Sequence, residues 1–256
     1  MQGYGWKNIS FGFLTEPVFS TLANLSSETL SQKLAYQVGK GKFDQRPGFQ
    51  VLALILFLLP KGMDELARWV ALGGSLLVFA LSLVVFLSFD KTNAGYQFVV
   101  QRDWLPLIGA RYILGIDGIS LFLVLLTTFL VPIIVLAAWD AVETDAKRYL
   151  AFMLALEAAI LGAFLALDLF LFYVFWEAML IPMFFLIGIW GSKDRIYAAQ
   201  KFLLYTFAGS VPMLVAIIYL VIQTKLQQGT YSAALPDVLS LKILSLRELT
   251  DSKEQP

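Results

Sequence analysis

Three carboxylates and one ammonium group stand inside or at the margins of otherwise uncharged stretches, and they are the candidates for chemistry in this chain. Glu177 is the single ionisable acid or base between Leu169 and Trp190. Placing such a group near the centre of a bilayer costs several kcal/mol, about 3 on insertion scales, so its presence points to function. Burial disfavours the charged form of a carboxyl and a nearby cation favours it, so a glutamate that meets a movable lysine or water can load and release protons. Thirteen residues separate Glu177 from Trp190, about 20 Å at the helical rise, which sets it near mid-membrane. Pro182 has no amide hydrogen and leaves the carbonyl of Ala178 without its helical partner, a place for water or a bend to enter. The competing reading is a protonated glutamate bonded to a neighbouring helix as packing glue.

Glu157 lies about 12 Å into its own stretch, measured from Tyr149, and is a candidate relay toward Glu177 through water. Packing is the equal alternative. Lys201 opens the last apolar run, within two turns of Arg195, and reads either as a modulator of the Glu177 proton affinity or as a lysine snorkelling to the interface. Its depth differs from that of Glu177 by more than about 10 Å, so a direct ion pair is not expected. Asp168 reads first as a turn residue and second as a point of proton uptake at the surface. Asp117 reads as a helix N-cap before Gly118. The aromatics Phe170, Phe172, Tyr173, Phe175 and Trp176 around Glu177 read as lipid and helix contacts.

The elements that must position these residues are membrane helices. Of 256 residues, 59% are hydrophobic and 15% charged, and mean hydropathy is +0.74, whereas a soluble domain carries roughly 25% charged residues. A spanning helix needs about 20 mostly apolar residues. Residues 70–89, 118–139 and 202–222 satisfy this. The tract 149–190 would be about 63 Å long as one helix, twice the bilayer, so it crosses twice, as 149–167 and 169–190 with the turn at Asp168. Residues 49–59 are apolar but short, a marginal sixth span. The expected fold is thus an all-α polytopic membrane helix bundle, flanked by a polar segment at 1–48 and a polar tail at 224–256. The segment 1–48 has no apolar run ending in a small-residue cleavage site, so no signal peptide is expected.

Lys61, Arg68, Lys147, Arg148, Lys193 and Arg195 fall on one side of these spans, and Lys91, Arg102 and Arg111 on the other. The richer side is read as cytoplasmic, which puts the N-terminus outside. Nineteen basic and nineteen acidic residues balance, so no field gathers nucleic acid. Cysteine and histidine are both absent, which removes disulfides and the common ligands of haem, zinc and iron–sulfur clusters. No metal or cofactor is expected on this chain. Phosphate-loop and nucleophile-triad patterns are also missing.

The tract Phe172-Tyr173-Val174-Phe175-Trp176-Glu177-Ala178-Met179-Leu180-Ile181-Pro182-Met183 closely resembles the fifth-helix signature of the subunit M family of bacterial NADH:quinone oxidoreductase, respiratory complex I, counterpart of the mitochondrial fourth chain. Gly115-Ile116-Asp117-Gly118-Ile119-Ser120 resembles the start of that family's third helix. Arg195-Ile196-Tyr197-Ala198-Ala199-Gln200-Lys201-Phe202 resembles the start of its sixth. The three motifs occur in the family's order, and the resemblance covers residues 49–222. It implies that Glu177 is the essential fifth-helix glutamate, Lys201 the sixth-helix lysine, and Asp168 the aspartate between helices four and five.

It also implies a proton-translocating subunit of a bacterial inner membrane, with NADH, FMN, iron–sulfur clusters and quinone handled by partner subunits. Expected partners are the other antiporter-like membrane subunits. Family members are longer and built from inverted repeats, and this sequence stops before the broken helix whose lysine partners the glutamate. A separately encoded C-terminal half is one expectation from that. Two other readings stand beside it: the D-type subunit of a multisubunit sodium/proton antiporter, and a non-conducting scaffold piece.

Overall fold

The computed structural model describes residues 64–93 and 95–241. The segment 1–48, the marginal span 49–59 and the end of the tail lie outside the described residues. Five helices are long and apolar enough to cross a membrane. They are α1 (Asp64–Ser88), α2 (Gly118–Ala141), α3 (Ala146–Leu165), α4 (Leu169–Trp190) and α5 (Arg195–Gln228).

Three of these, α1, α3 and α5, begin earlier than a charge-bounded apolar run suggests, most of all α1 and α5. Helix α1 starts at Asp64, where two of its early charged side chains find partners on the distant α2–α3 connection. Asp64 Oδ1 accepts the backbone N–H of Lys147 at 3.1 Å, and the Arg68 guanidinium donates to the carbonyl of Val142 at 3.0 Å. Helix α5 carries its polar ends outside the hydrocarbon. At 34 residues it measures about 51 Å against a core of roughly 30 Å. It stops at Gly229, whose φ of 81° is a left-handed C-cap.

Helix α2 starts in a capping box. Asp117 accepts the N–H of Ser120 at 2.7 Å, and Ser120 Oγ accepts the N–H of Asp117 at 2.9 Å, so Asp117 is the N-cap that the sequence predicts.

Helices α1 and α2 are antiparallel, held by edge-on Trp69 and Trp139 with centroids 5.0 Å apart, Phe79 and Phe129 at 5.6 Å, and Phe86 and Phe122 at 6.1 Å. Helices α3 and α4 form the next antiparallel pair, fixed by stacked Phe152 and Phe185 at 4.9 Å and by Tyr149 against Trp190 at 5.4 Å. Gly162 is required between them, since a Cβ there would lie 2.4 Å from the Phe175 ring.

The bundle is all-α within the span region, but the loop between α1 and α2 builds a β-hairpin that the sequence reading lacked. Strand β1 (Gln97–Leu105) pairs antiparallel with β2 (Ala110–Ile116). A single 3-10 turn at Pro106–Ile108 and Gly109, at φ 71°, reverse the chain. Outside the hydrocarbon a sheet edge can be hydrated, which is what permits strands here.

Residues 229–241, assigned by sequence to the polar tail, fold back over this end of the bundle and include the short helix α6 (Leu235–Leu239). Ala233 donates to the carbonyl of Gly109 at 3.0 Å, Leu169 to that of Ala233 at 2.9 Å, and Leu235 to that of Leu167 at 2.8 Å. Hairpin, α3–α4 turn and C-terminal segment thus share one hydrogen-bonded cap.

Candidate functional site: carboxyl groups within the bundle

Glu177 sits at the middle of α4, beyond the reach of the cap. One carboxyl oxygen, Oε1, is fully buried and makes no hydrogen bond to any described residue. An oxygen left so in an apolar setting costs about 1 to 3 kcal/mol unless a donor arrives, which is the condition for a group that exchanges protons.

Helix α5 packs antiparallel to α4. Leu169, Phe170 and Tyr173 of α4 pack with Met213, Ile217 and Val221 of α5, and Gly188 approaches Ala199. In that register Glu177 stands level with Ser210, a buried serine that donates to the carbonyl of Phe207 at 2.9 Å. Pro182 and Pro212 free the carbonyls of Ala178 and Ala208, which stand near the same level.

Lys201 is not brought to Glu177. It is exposed, and its Nζ lies 4.6 Å from the centroid of the Tyr197 ring. In the α4–α5 register it stands about nine residues, or about 13 Å, from the level of Glu177.

Glu157 is 2% exposed, and its Oε1 has no partner among the described residues. Its direction is set by the stripe Leu150, Leu154, Glu157, Leu161 and Leu165, which recurs every three or four residues along the buried face of α3. That stripe faces the buried stripes of α1 and α2, not α4 alone. Leu150 and Leu154 join Ala67, Ala71, Val131 and Val135 in one cluster. Leu161 and Leu165 join Val78, Val85, Leu121 and Val124 in another.

Asp168 is the N-cap of α4. Its Oδ1 accepts from the N–H groups of Phe170 at 3.0 Å and Leu171 at 3.1 Å, and its Oδ2 accepts from Arg111 N–H at 2.9 Å. The residue is 1% exposed beneath the cap. Burial pushes its carboxyl above the ordinary value of 3.8, against the pull of those three N–H groups and the charge of Arg111.

Among the hydroxyls that the fold buries and sequence reasoning missed are Ser75 and Ser82 on α1, Thr128 on α2, and Ser210 and Thr224 on α5. Their signal was available as small polar residues at heptad-like spacing within apolar helices.

Five apolar helices long enough to cross a membrane, with unpartnered carboxyl oxygens buried among them, define a polytopic membrane helix bundle. Residues 166–234 match the family described as NADH:quinone oxidoreductase/Mrp antiporter, TM.

Within that family the sequence is similar to subunit M. It is 52% identical over 170 residues to NADH-quinone oxidoreductase subunit M of Rhodobacter capsulatus, covering 65% of this chain and 33% of that protein. It is 46% identical over 173 residues to NADH-ubiquinone oxidoreductase chain 4 of Arabidopsis thaliana, covering 67% of this chain and 35% of that one. Among solved structures, respiratory complex I from Thermus thermophilus with bound NADH matches with a TM-score of 0.63 at 33% identity, over 76% of this chain and 38% of that chain. The chain spans about a third of the length of the curated relatives it matches.

Proposed function

We propose that this chain is part of a proton-translocating membrane subunit of NADH:quinone oxidoreductase, with Glu177 as the group that carries the proton. The observation that supports this most is the buried, unpartnered Glu177 Oε1 at mid-span, on a helix opened by Pro182. Glu177 accepts a proton when water reaches it from one side and releases it when its surroundings change. Lys201 modulates that affinity from a distance, through water or by moving from its seat on Tyr197. Glu157 is a second buried carboxyl able to hold a proton, and Asp168 fixes the turn that starts α4.

NADH, FMN, iron–sulfur clusters and quinone belong to partner subunits on this reading, and quinone reduction there supplies the drive. The relatives extend well beyond the matched residues. The helices completing the path therefore belong to the remainder of the subunit or to a separately encoded C-terminal half, and other antiporter-like subunits flank it. The location is a bacterial inner membrane, with the loops bearing Arg68, Arg148 and Arg195 cytoplasmic and the N-terminus outside.

The test is Glu177→Gln in the assembled complex, with proton uptake into vesicles and NADH oxidation measured together. Loss of proton uptake is expected, and unchanged uptake would refute the assignment and favour a scaffold role. The family's inclusion of Mrp antiporters supports one second reading, a sodium/proton antiporter subunit. Sodium extrusion from vesicles without NADH would select it.

A further inference from the structure

The interior of the α1–α2–α3 sector is interrupted by a polar layer. One hydrophobic cluster ends at Ala71, Val131 and Leu154, and the next begins at Val78, Val124 and Leu161. Between them, one residue on each buried stripe is polar: Ser75 on α1, Thr128 on α2 and Glu157 on α3. Ser82 extends the layer, since its hydroxyl and that of Thr128 are 2.8 Å apart. All four side chains are buried.

The hydroxyls now satisfy themselves on their own helices: Ser75 donates to Leu72, Ser82 to Phe79, and Thr128 to Val124 or Leu125. Ser75 and Thr128 occupy the places on the facing stripes that correspond to Glu157 on α3, and a hydroxyl can serve a carboxyl as donor or acceptor. Glu157 Oε1 is the unpaired member of the layer. Among the described residues, no other acid or base occurs on the buried faces of these three helices, so hydroxyls are the groups there that can serve it.

We infer that Ser75, Ser82, Thr128 and Glu157 form a second proton-holding site, separate from Glu177, in which Glu157 binds the proton and Thr128 is a positioning residue that exchanges hydrogen bonds with its carboxyl. The site rests on the proposed proton-transport role and adds to it a store of protons on the far side of α3 from α5. Protonation needs no other reactant: the carboxylate gains one proton, and the Thr128 hydroxyl turns from carbonyl to carboxyl as donor or acceptor.

The experiment uses the complete complex purified from its native membranes, with infrared difference spectra of carboxyl C=O stretching and proton uptake per NADH oxidised. Glu157→Gln is expected to remove one protonated-carboxyl band. Thr128→Val is expected to shift that band and slow uptake about fivefold to tenfold, the loss of one hydrogen bond, while Thr128→Ser restores both. Ser75→Ala should move the same band, and gives a second route if Thr128→Val does not assemble. If Glu157→Gln removes no band, or if neither hydroxyl variant moves it, the site is refuted. A Glu177→Gln complex that still takes up protons would refute the transport role instead, while the band test would stand on its own.

Discussion

Two sectors of the bundle house their carboxyls in opposite ways. In the α1–α2–α3 sector Glu157 is surrounded by this chain's own helices, and more than half of the apolar window of α3 is buried, at 56%. Helices α4 and α5, which carry Glu177 and Lys201, bury only 17% of theirs. Glu157 therefore has a finished environment, whereas the surroundings of Glu177 are to be completed by lipid or by other protein. A carboxyl enclosed by helices of its own chain is suited to hold a proton, and one on an open helix pair is suited to pass it on.

The largest effect that sharpens this contrast is on transport. Glu177→Gln should lower proton uptake about a hundredfold or more, in keeping with the loss of a proton-transfer group. Glu177→Asp should recover part of it, because the acid is retained with a shorter reach. Equal losses from Glu157→Gln and Glu177→Gln would break the contrast, since both would then be obligatory carriers on one path.

Asp168 ties the two sectors together at the capped end, and its loss should be felt as stability. Asp168→Ala removes the acceptor for Phe170, Leu171 and Arg111 and should cost about 2 to 3 kcal/mol, read as a lower thermal transition of the complex. Because burial raises this carboxyl in the folded chain, the fold holds its proton more tightly than the unfolded chain does. Its share of stability is complete below the ordinary value of 3.8 and falls as pH rises through the folded value. Asp168→Asn should flatten that slope, and an unchanged slope would show that another group sets it.

Gly162 is the seam itself. Its Cα faces the Phe175 ring closely enough that Gly162→Leu must push α4 away from α3, at about 1 to 3 kcal/mol or more. If the sectors act separately, this variant should weaken the complex and impair Glu177 transport while leaving the Glu157 infrared band in place.

How much of this the sequence disclosed depends on whether the signal was local. The bounds of α4 are legible, because Asp168 and Trp190 frame a run whose single charged residue is Glu177, with a cap at one end. The start of α1 was not, since Arg68 finds its acceptor at Val142, 74 residues away. The hairpin escaped notice because its pairing joins residues on both sides of Gly109, and a composition reading of apolar runs does not detect alternation. Glu157 and Glu177 were recognised as intramembrane carboxyls, but the direction in which Glu157 points is a property of three-helix register. Ser75 and Thr128 become meaningful only when that register sets them level with it.

The smallest predicted effect is also the one that best separates function from packing. If Glu157 were glue between helices, replacing it by leucine would leave Ser75 and Thr128 without a partner and destabilise the bundle. The hydroxyls, however, already bond to their own carbonyls, and Glu157 Oε1 bonds to nothing among the described residues. Glu157→Leu therefore removes a buried polar group whose hydrogen bonds are unmade and adds apolar contact with Leu154 and Leu161. It should stabilise the complex by about 1 kcal/mol in thermal melting while slowing proton uptake. Stability forgone with no structural gain is the mark of a residue kept for transport, and a loss of stability in this variant would return Glu157 to a packing role.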